Sequence, residues 1–227
     1  KLIFMKIIAM IPGRIGSQRF KKKNFADLRG KPLMSYAINS AISSNIFDDI
    51  YVNSDDISFK KIAEDCDVKF HHRPTELGSS STQSDDVVYE FINKIDSDII
   101  VWVNPICPLM TGLVLRKCIE KFIQNDYDSA VTGRNLSVHA SCNDEPINYN
   151  VSKKFAKTQD LSPVFVFSYS AMMWKSNEFI NHFNKNKSAF LFKKIGFIEV
   201  DFFSSLTVKY KEDLDIIDSL FNNVYLK

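Results

Sequence analysis

The chain alternates between short, wholly apolar runs and longer segments whose apolar residues recur at helical spacing. Ile7–Ile11 and the Ile-Ile-Val-Trp-Val run within Asp98–Val103 are the kind expected of strands covered on both faces. Further strands are predicted at Asp49–Asn53, Val68–Phe70 and Ser129–Thr132. Between them, apolar stripes predict helices through Leu33, Tyr36, Ala37 and Ile38, through Phe59, Ile62 and Ala63, through Val87, Val88, Phe91 and Ile92, and over Leu113–Ile123. Pro32 suits a first helical turn, and Ser54-Asp55-Asp56 reads as an N-cap followed by acids in the first turn. Such alternation predicts an α/β fold, a mostly parallel sheet with helices on both faces. Ligands of these sheets sit beyond the carboxyl ends of the strands, so the loops after Ile11, Asn53 and Val103 should surround one crevice.

From Ser137 the pattern changes. Residues 137–163 are polar and irregular, and Val164–Phe167 and Ala171–Trp174 read as extended pieces. Residues 137–175 therefore form an excursion with two readings. It is either an arm for dimerisation and acceptor binding or a loop that folds back on its own domain. A helix near Asn177–Phe183, a strand over Lys193–Val200 and a last helix over Glu212–Val224 complete one domain spanning 1–227. There is no internal repeat and no low-complexity linker.

The loop after the first strand carries the most specific chemistry. Gly13 and Gly16 permit backbone conformations that other residues resist, so successive amides could converge on an anion. Arg14, Arg19 and Lys21–Lys23 could bind phosphate oxygens. The spacing is neither a Walker loop nor a dinucleotide fingerprint, and a solvated basic loop is the competing reading. Net charge is +2, with 25% charged and 45% apolar residues. That balance argues against nucleic acid or an anionic membrane as partner. Cys66, Cys107, Cys118 and Cys142 form no Cys-x-x-Cys pair, which reads as free thiols rather than a zinc site. The stretch Leu2–Pro12, interrupted by Lys6, reads as a strand and not a signal peptide, and no run reaches the roughly 18–20 apolar residues of a membrane span. The expectation is a cytoplasmic protein.

The segment Ile11-Pro-Gly-Arg14-x-Gly16-Ser17-x-Arg19, followed by Lys23-Asn24, resembles the signature of the acylneuraminate cytidylyltransferases, the synthetases of CMP-sialic acid and related legionaminic, pseudaminic and Kdo-type sugars. The likeness continues through Gly30-Lys-Pro-Leu33, Ser54-Asp-Asp56, Arg73-Pro-x-Glu-Leu77, Pro105-x-x-Pro-Leu109 and Gln159-Asp-Leu-x-Pro-Val164. It implies a Rossmann-like nucleotide-diphospho-sugar transferase sheet and transfer of CMP from CTP to an acidic sugar, with release of pyrophosphate. By position, Arg14 and Lys23 match the triphosphate-binding cations, with amides from Gly13, Gly16 and Ser17. Asn24, Arg73, Ser84 and Asn104 match positions that hold the nucleotide. For Arg73 the alternative is a surface salt bridge, and for Ser84 a helix cap.

The departures from the family pattern are specific. Gln18 stands where relatives have lysine, Ser80 where they have aspartate, Asn104 where they have glutamine, and Met110 where they have arginine. Relatives carry Ser-Ile-Asp-Ile-Asp before the last helix, and its aspartates hold Mg²⁺. Here the match is Ser205-Leu-Thr-Val-Lys209. Three readings follow: Lys209 stands in for the ion, the triphosphate itself holds Mg²⁺, or the site binds nucleotide without turnover. Glu199 and Asp201 could ligate only in a shifted alignment. The altered Phe167–Ala171 segment leaves the acceptor open, and Lys153, Lys154 and Lys157 suit either an anion or a solvated face. A homodimer is implied by the resemblance alone, and a catalytically silent nucleotide-binding subunit is the competing function.

Overall fold

In the computed structural model, residues 5–16 and 19–225 are described. Leu2–Phe4 of the first apolar stretch, together with Ser17 and Gln18, lie outside the described residues. In chain order the main elements are β1 (Ile7–Gly13), α1 (Leu33–Ser44), β2 (Asp49–Ser54), α2 (Phe59–Asp65), β3 (Lys69–His72), α3 (Ser84–Lys94), β4 (Ile99–Val103), α4 (Gly112–Gln124), β5 (Ser129–Leu136), β6 (Val164–Lys175), α5 (Ser176–Asn186), β7 (Ile195–Glu199) and α6 (Lys211–Leu220).

Side chains alternate across a strand, and in β1 both faces are apolar. Ile7, Ala9 and Ile11 pack with residues of α1, α2 and α4, whereas Ile8 and Met10 pack with residues of α3 and α5. β4 repeats the division. Ile99, Val101 and Val103 join the first core; Ile100 and Trp102 join the second. A third cluster, around Leu33, Tyr36, Val208 and Leu214, seats α6 against the start of α1.

The seven strands run in the order β7-β5-β6-β4-β1-β2-β3. β1 pairs in parallel with β2 on one side and β4 on the other. The chain therefore leaves β1 in opposite directions, and the carboxyl ends of β1 and β4 flank a switch point. β6 is antiparallel to both of its neighbours, while β3 and β7 add in parallel at the two edges.

Several boundaries differ from those the sequence suggests. The two extended pieces after residue 163 are one strand, β6, whose register shifts between Phe167 and Met172. Residues 164–175 thus belong to the middle of the sheet, and the excursion proper is 137–163. Its backbone makes one short ladder, Ser141–Cys142 with Glu145–Pro146. α2 starts at Phe59 and not at Ser54–Asp56, because those residues have other uses. Ser54 ends β2 and its Oγ accepts from the Asp56 amide at 3.1 Å, while Asp56 accepts from the Ser58 amide at 2.8 Å. The last helix stops at Leu220, and a short turn of helix follows at Asn222–Tyr225. No helix among the described residues is long and apolar enough to cross a membrane.

Candidate nucleotide site

A cleft of about 390 Å³ opens at the switch point, walled by the loop after β1, the segment between β3 and α3, and the end of β4. Arg14, Arg19 and Lys23 line it together. Lys23 begins a 3₁₀ turn, Lys23–Phe25, entered through Lys22 in the left-handed region with φ of 52°. The Lys23 ammonium is held below the ordinary lysine pKa, first by burial and then by the nearby Arg19 and Arg14 charges. Asp213 and Cys107 act in the opposite sense but do not win. Arg14 is exposed, with Nη1 donating to the Ser79 carbonyl oxygen at 3.4 Å across the cleft mouth. Together these side chains give the cleft a positive wall.

Neither Gly13 nor Gly16 has positive φ, which corrects the conformational role expected of them. A Cβ on Gly13 would lie 2.5 Å from the Phe59 ring and 2.8 Å from Met34 Cε. Glycine is needed there so that β1 can end tightly against α1 and α2. Around Gly16 there is open space.

Arg73 is buried rather than part of a surface salt bridge. Its Nη1 donates to the Asn53 carbonyl oxygen at 2.8 Å, and its Nη2 donates to the Gly13 carbonyl oxygen at 2.8 Å and to Asp55 Oδ1 at 2.9 Å. The guanidinium thereby ties the ends of β1 and β2 to the segment after β3. Gly78 makes room for this pair, since a Cβ there would fall 2.0 Å from Asp55 Oδ2.

Buried polar groups are almost always hydrogen-bonded, yet Asn24 Oδ1, Arg73 Nε and Trp102 Nε1 have no partner among the described residues. All three belong to residues that line the cleft. The cleft residues thus carry one acceptor and two donors that are covered and without a hydrogen bond among the described residues. Ser84 also lines the cleft; it is the first residue of α3, and the N-cap is Gln83, so the capping role is not the one observed. Asn104 lines the cleft with its amide engaged: Nδ2 donates to the Tyr169 carbonyl oxygen at 3.0 Å, and Oδ1 accepts from the Ile106 amide at 3.4 Å. It braces the bulged part of β6, where Tyr169 is left-handed with φ of 57°. Ser17 lies outside the described residues. Trp102 and Gln83 are cleft residues that the sequence did not single out. Trp102 was hidden in an apolar run, though its place near the carboxyl end of a central strand pointed to the crevice.

The other candidates lie away from the cleft lining. Lys209 is exposed, and its backbone amide donates to Asp213 Oδ2 at 2.7 Å. The adjacent Val208 amide donates to the Ile106 carbonyl oxygen at 2.8 Å, which holds this segment against the cleft wall. Lys23 and Lys209 both act electrostatically on Cys107, whose thiol burial nonetheless pushes up to about 12. Glu199 accepts from Asn135, and Asp201 accepts from Ser204. Lys153, Lys154 and Lys157 are exposed on the excursion.

A hard divalent ion needs oxygen ligands, chiefly carboxylates. No aspartate or glutamate lines the cleft, and no cluster of three potential metal-ligating side chains occurs among the described residues. The donor set does not fit a magnesium ion held by the protein.

The cytidylyltransferase family model matches residues 8–223, nearly the whole chain. The chain belongs to the cytidylyltransferase family. Pseudaminic acid cytidylyltransferase of Campylobacter jejuni is 35% identical over 127 residues, covering 53% of this chain and 55% of that relative. N-acylneuraminate cytidylyltransferase of Streptococcus agalactiae is 26% identical over 223 residues, covering 94% of this chain and 51% of that relative. The chain spans about half the length of these curated relatives. Among solved structures, a CMP:2-keto-3-deoxy-manno-octonic acid synthetase complexed with CTP superposes with a TM-score of 0.72 at 13% identity, over 96% of this chain and 99% of that one. The 4-diphosphocytidyl-2C-methyl-D-erythritol synthase of Anaerococcus prevotii gives 0.69 at 13% identity, over 96% and 99%. These likenesses establish the Rossmann-like cytidylyltransferase fold.

Proposed function

We propose that this family member transfers CMP from CTP to a hydroxyl of an acidic sugar of the nonulosonate or Kdo kind. The observation that carries the proposal is the combination, in one cleft, of the Arg14, Arg19 and Lys23 wall with three unpartnered groups on Asn24, Arg73 and Trp102. In the reaction the acceptor hydroxyl oxygen attacks the α-phosphorus and forms a new P–O bond, its proton passing to water. The bond between the α-phosphorus and the bridging oxygen breaks, and pyrophosphate leaves with that oxygen. Arg14 and Lys23 bind the triphosphate and neutralise charge as it moves towards the leaving group, which is mostly positioning and electrostatics. Lys209, on the segment held against Ile106, adds a further cation. Asn24, Arg73, Ser84 and Asn104 hold or brace the nucleoside side. Gly13 lets β1 end tightly beside these cations.

Since the cleft lacks carboxylates, any magnesium accompanies the nucleotide on its phosphate oxygens, and no step is assigned to it. The acidic character of the acceptor rests on the relatives named for pseudaminic acid, N-acylneuraminate and the octulosonate sugar. A cytoplasmic homodimer is part of the same proposal.

The test is Arg14→Ala beside Lys209→Ala, each assayed for pyrophosphate release and for thermal stability. Removing one preorganised charge contact of this kind costs about 10²- to 10³-fold in kcat. The expected result is such a loss for Arg14→Ala, a smaller one for Lys209→Ala, and unchanged melting for both. Full activity in Arg14→Ala would contradict the role.

A further inference from the structure

We infer that Trp102 is a nucleoside-facing residue of the cleft, its indole N–H reserved for an uncharged acceptor atom of the bound cytidine. This assignment rests on the nucleotide reading above and goes beyond the residues that the resemblance supplies. The alternation of β4 places Trp102 with Ile100 on the face covered by α3 and α5. Ile15 and Phe25, which flank the basic stretch of the β1 loop, pack on the opposite core with Phe59 and Val101. The cleft therefore has a cationic wall rooted on one face of the sheet. Its other wall is uncharged, with Val87, Ser84 and Trp102. Neutral donors among apolar groups suit ribose or pyrimidine better than phosphate, which seeks charge-assisted contacts.

The state of the indole donor supports this reading. A buried tryptophan N–H normally has a partner, as Trp174 has in the Phe190 carbonyl oxygen at 2.8 Å. Trp102 Nε1 is shielded yet unpaired among the described residues. Its neighbours across the sheet, Met10 and Met172, bring thioethers and not carbonyl or carboxylate side chains. The ring packs, partly buried, against the second core at the edge of the cleft.

The chain has two tryptophans, and the other, Trp174, is 1% exposed in the core. Intrinsic fluorescence can therefore report on Trp102. The experiment titrates wild type and Trp102→Phe with CTP, cytidine and inorganic tripolyphosphate, followed by emission and by calorimetry. CTP and cytidine should change wild-type emission, and tripolyphosphate should bind with little change. Trp102→Phe should lose the emission response, bind CTP about five- to tenfold more weakly, and bind tripolyphosphate as wild type does. That last arm also shows that the variant is folded.

Equal emission changes with tripolyphosphate and CTP would overturn the assignment, as would unweakened CTP binding by Trp102→Phe. Wild type that binds tripolyphosphate but neither CTP nor cytidine would overturn the nucleotide reading together with it. Wild type that binds CTP while Trp102 stays silent would overturn this inference alone.

Discussion

Lys23 is charged at the expense of the folded state. Burial, Arg19 and Arg14 lower its pKa from the ordinary 10.5. A depressed folded-state value means that stability from this group is intact above the unfolded pKa and is lost as pH falls through the folded one. At neutral pH the ammonium therefore opposes folding until a triphosphate neutralises it. Lys23→Gln is expected to melt slightly higher than wild type without ligand, while losing about 10- to 100-fold in CTP affinity. Melting curves with and without CTP check both parts, and in wild type CTP binding should take up protons below the ordinary lysine pKa of 10.5. Burial lowers the Arg73 pKa as well, but here the Asp55 carboxylate opposes the shift. The Arg73 side chain and that of Asp55 are 3% and 10% exposed, so Arg73→Ala leaves a carboxylate buried without its cation. The expected loss is about 3–5 kcal/mol in urea unfolding, and a loss below about 1 kcal/mol would place the pair among surface bridges. The sequence marked Arg73 as a site candidate but took Asp55 for a helix-start acid. Their pairing joins β2 to the segment after β3, and no local pattern encodes it.

At the scale of elements, parity is what the sequence revealed best. Ile7–Ile11 and Ile99–Val103 were legible as strands covered on both faces, and each residue falls on the face its place in the alternation requires. What was not legible depends on contacts between elements. Gly13 is a glycine because Phe59 and Met34 press on the end of β1, and not because the backbone turns into the left-handed region. Gly13→Ala should therefore destabilise by about 1–3 kcal/mol through overpacking, read in a denaturation curve, and Gly16→Ala should leave stability unchanged. β6 was the other element that escaped. Its bulge between Phe167 and Met172 breaks the apolar pattern at Ser168–Ser170, so one strand reads as two. Those serines are buried in a polar network: Ser168 Oγ and Ser170 Oγ are 3.0 Å apart, and Thr132 Oγ1 donates to the Ala171 carbonyl oxygen at 3.0 Å.

For the whole molecule, fold class and crevice position followed from strand–helix alternation, and the basic wall from the composition of one loop. The unpartnered groups of the cleft could not be read in advance, since burial of Asn24, Arg73 and Trp102 is a property of the assembled sheet. The excursion over 137–163 carries Ile147, Val151 and Phe155 at 56%, 74% and 79% exposure. If these seat a second copy, sedimentation at micromolar concentration should show a dimer, and Val151→Asp with Phe155→Asp should shift it to monomer; a wild-type monomer would end the proposal. The account as a whole stands on chemistry at the cleft. Its most direct test is pyrophosphate release from CTP, with UTP and ATP as controls, against a panel of nonulosonic and Kdo-type acids. The account predicts release with CTP and an acidic acceptor, little with the other nucleotides, and loss in Arg14→Ala. Silence across the panel while calorimetry still detects bound CTP, or equal release from all three nucleotides, would contradict it.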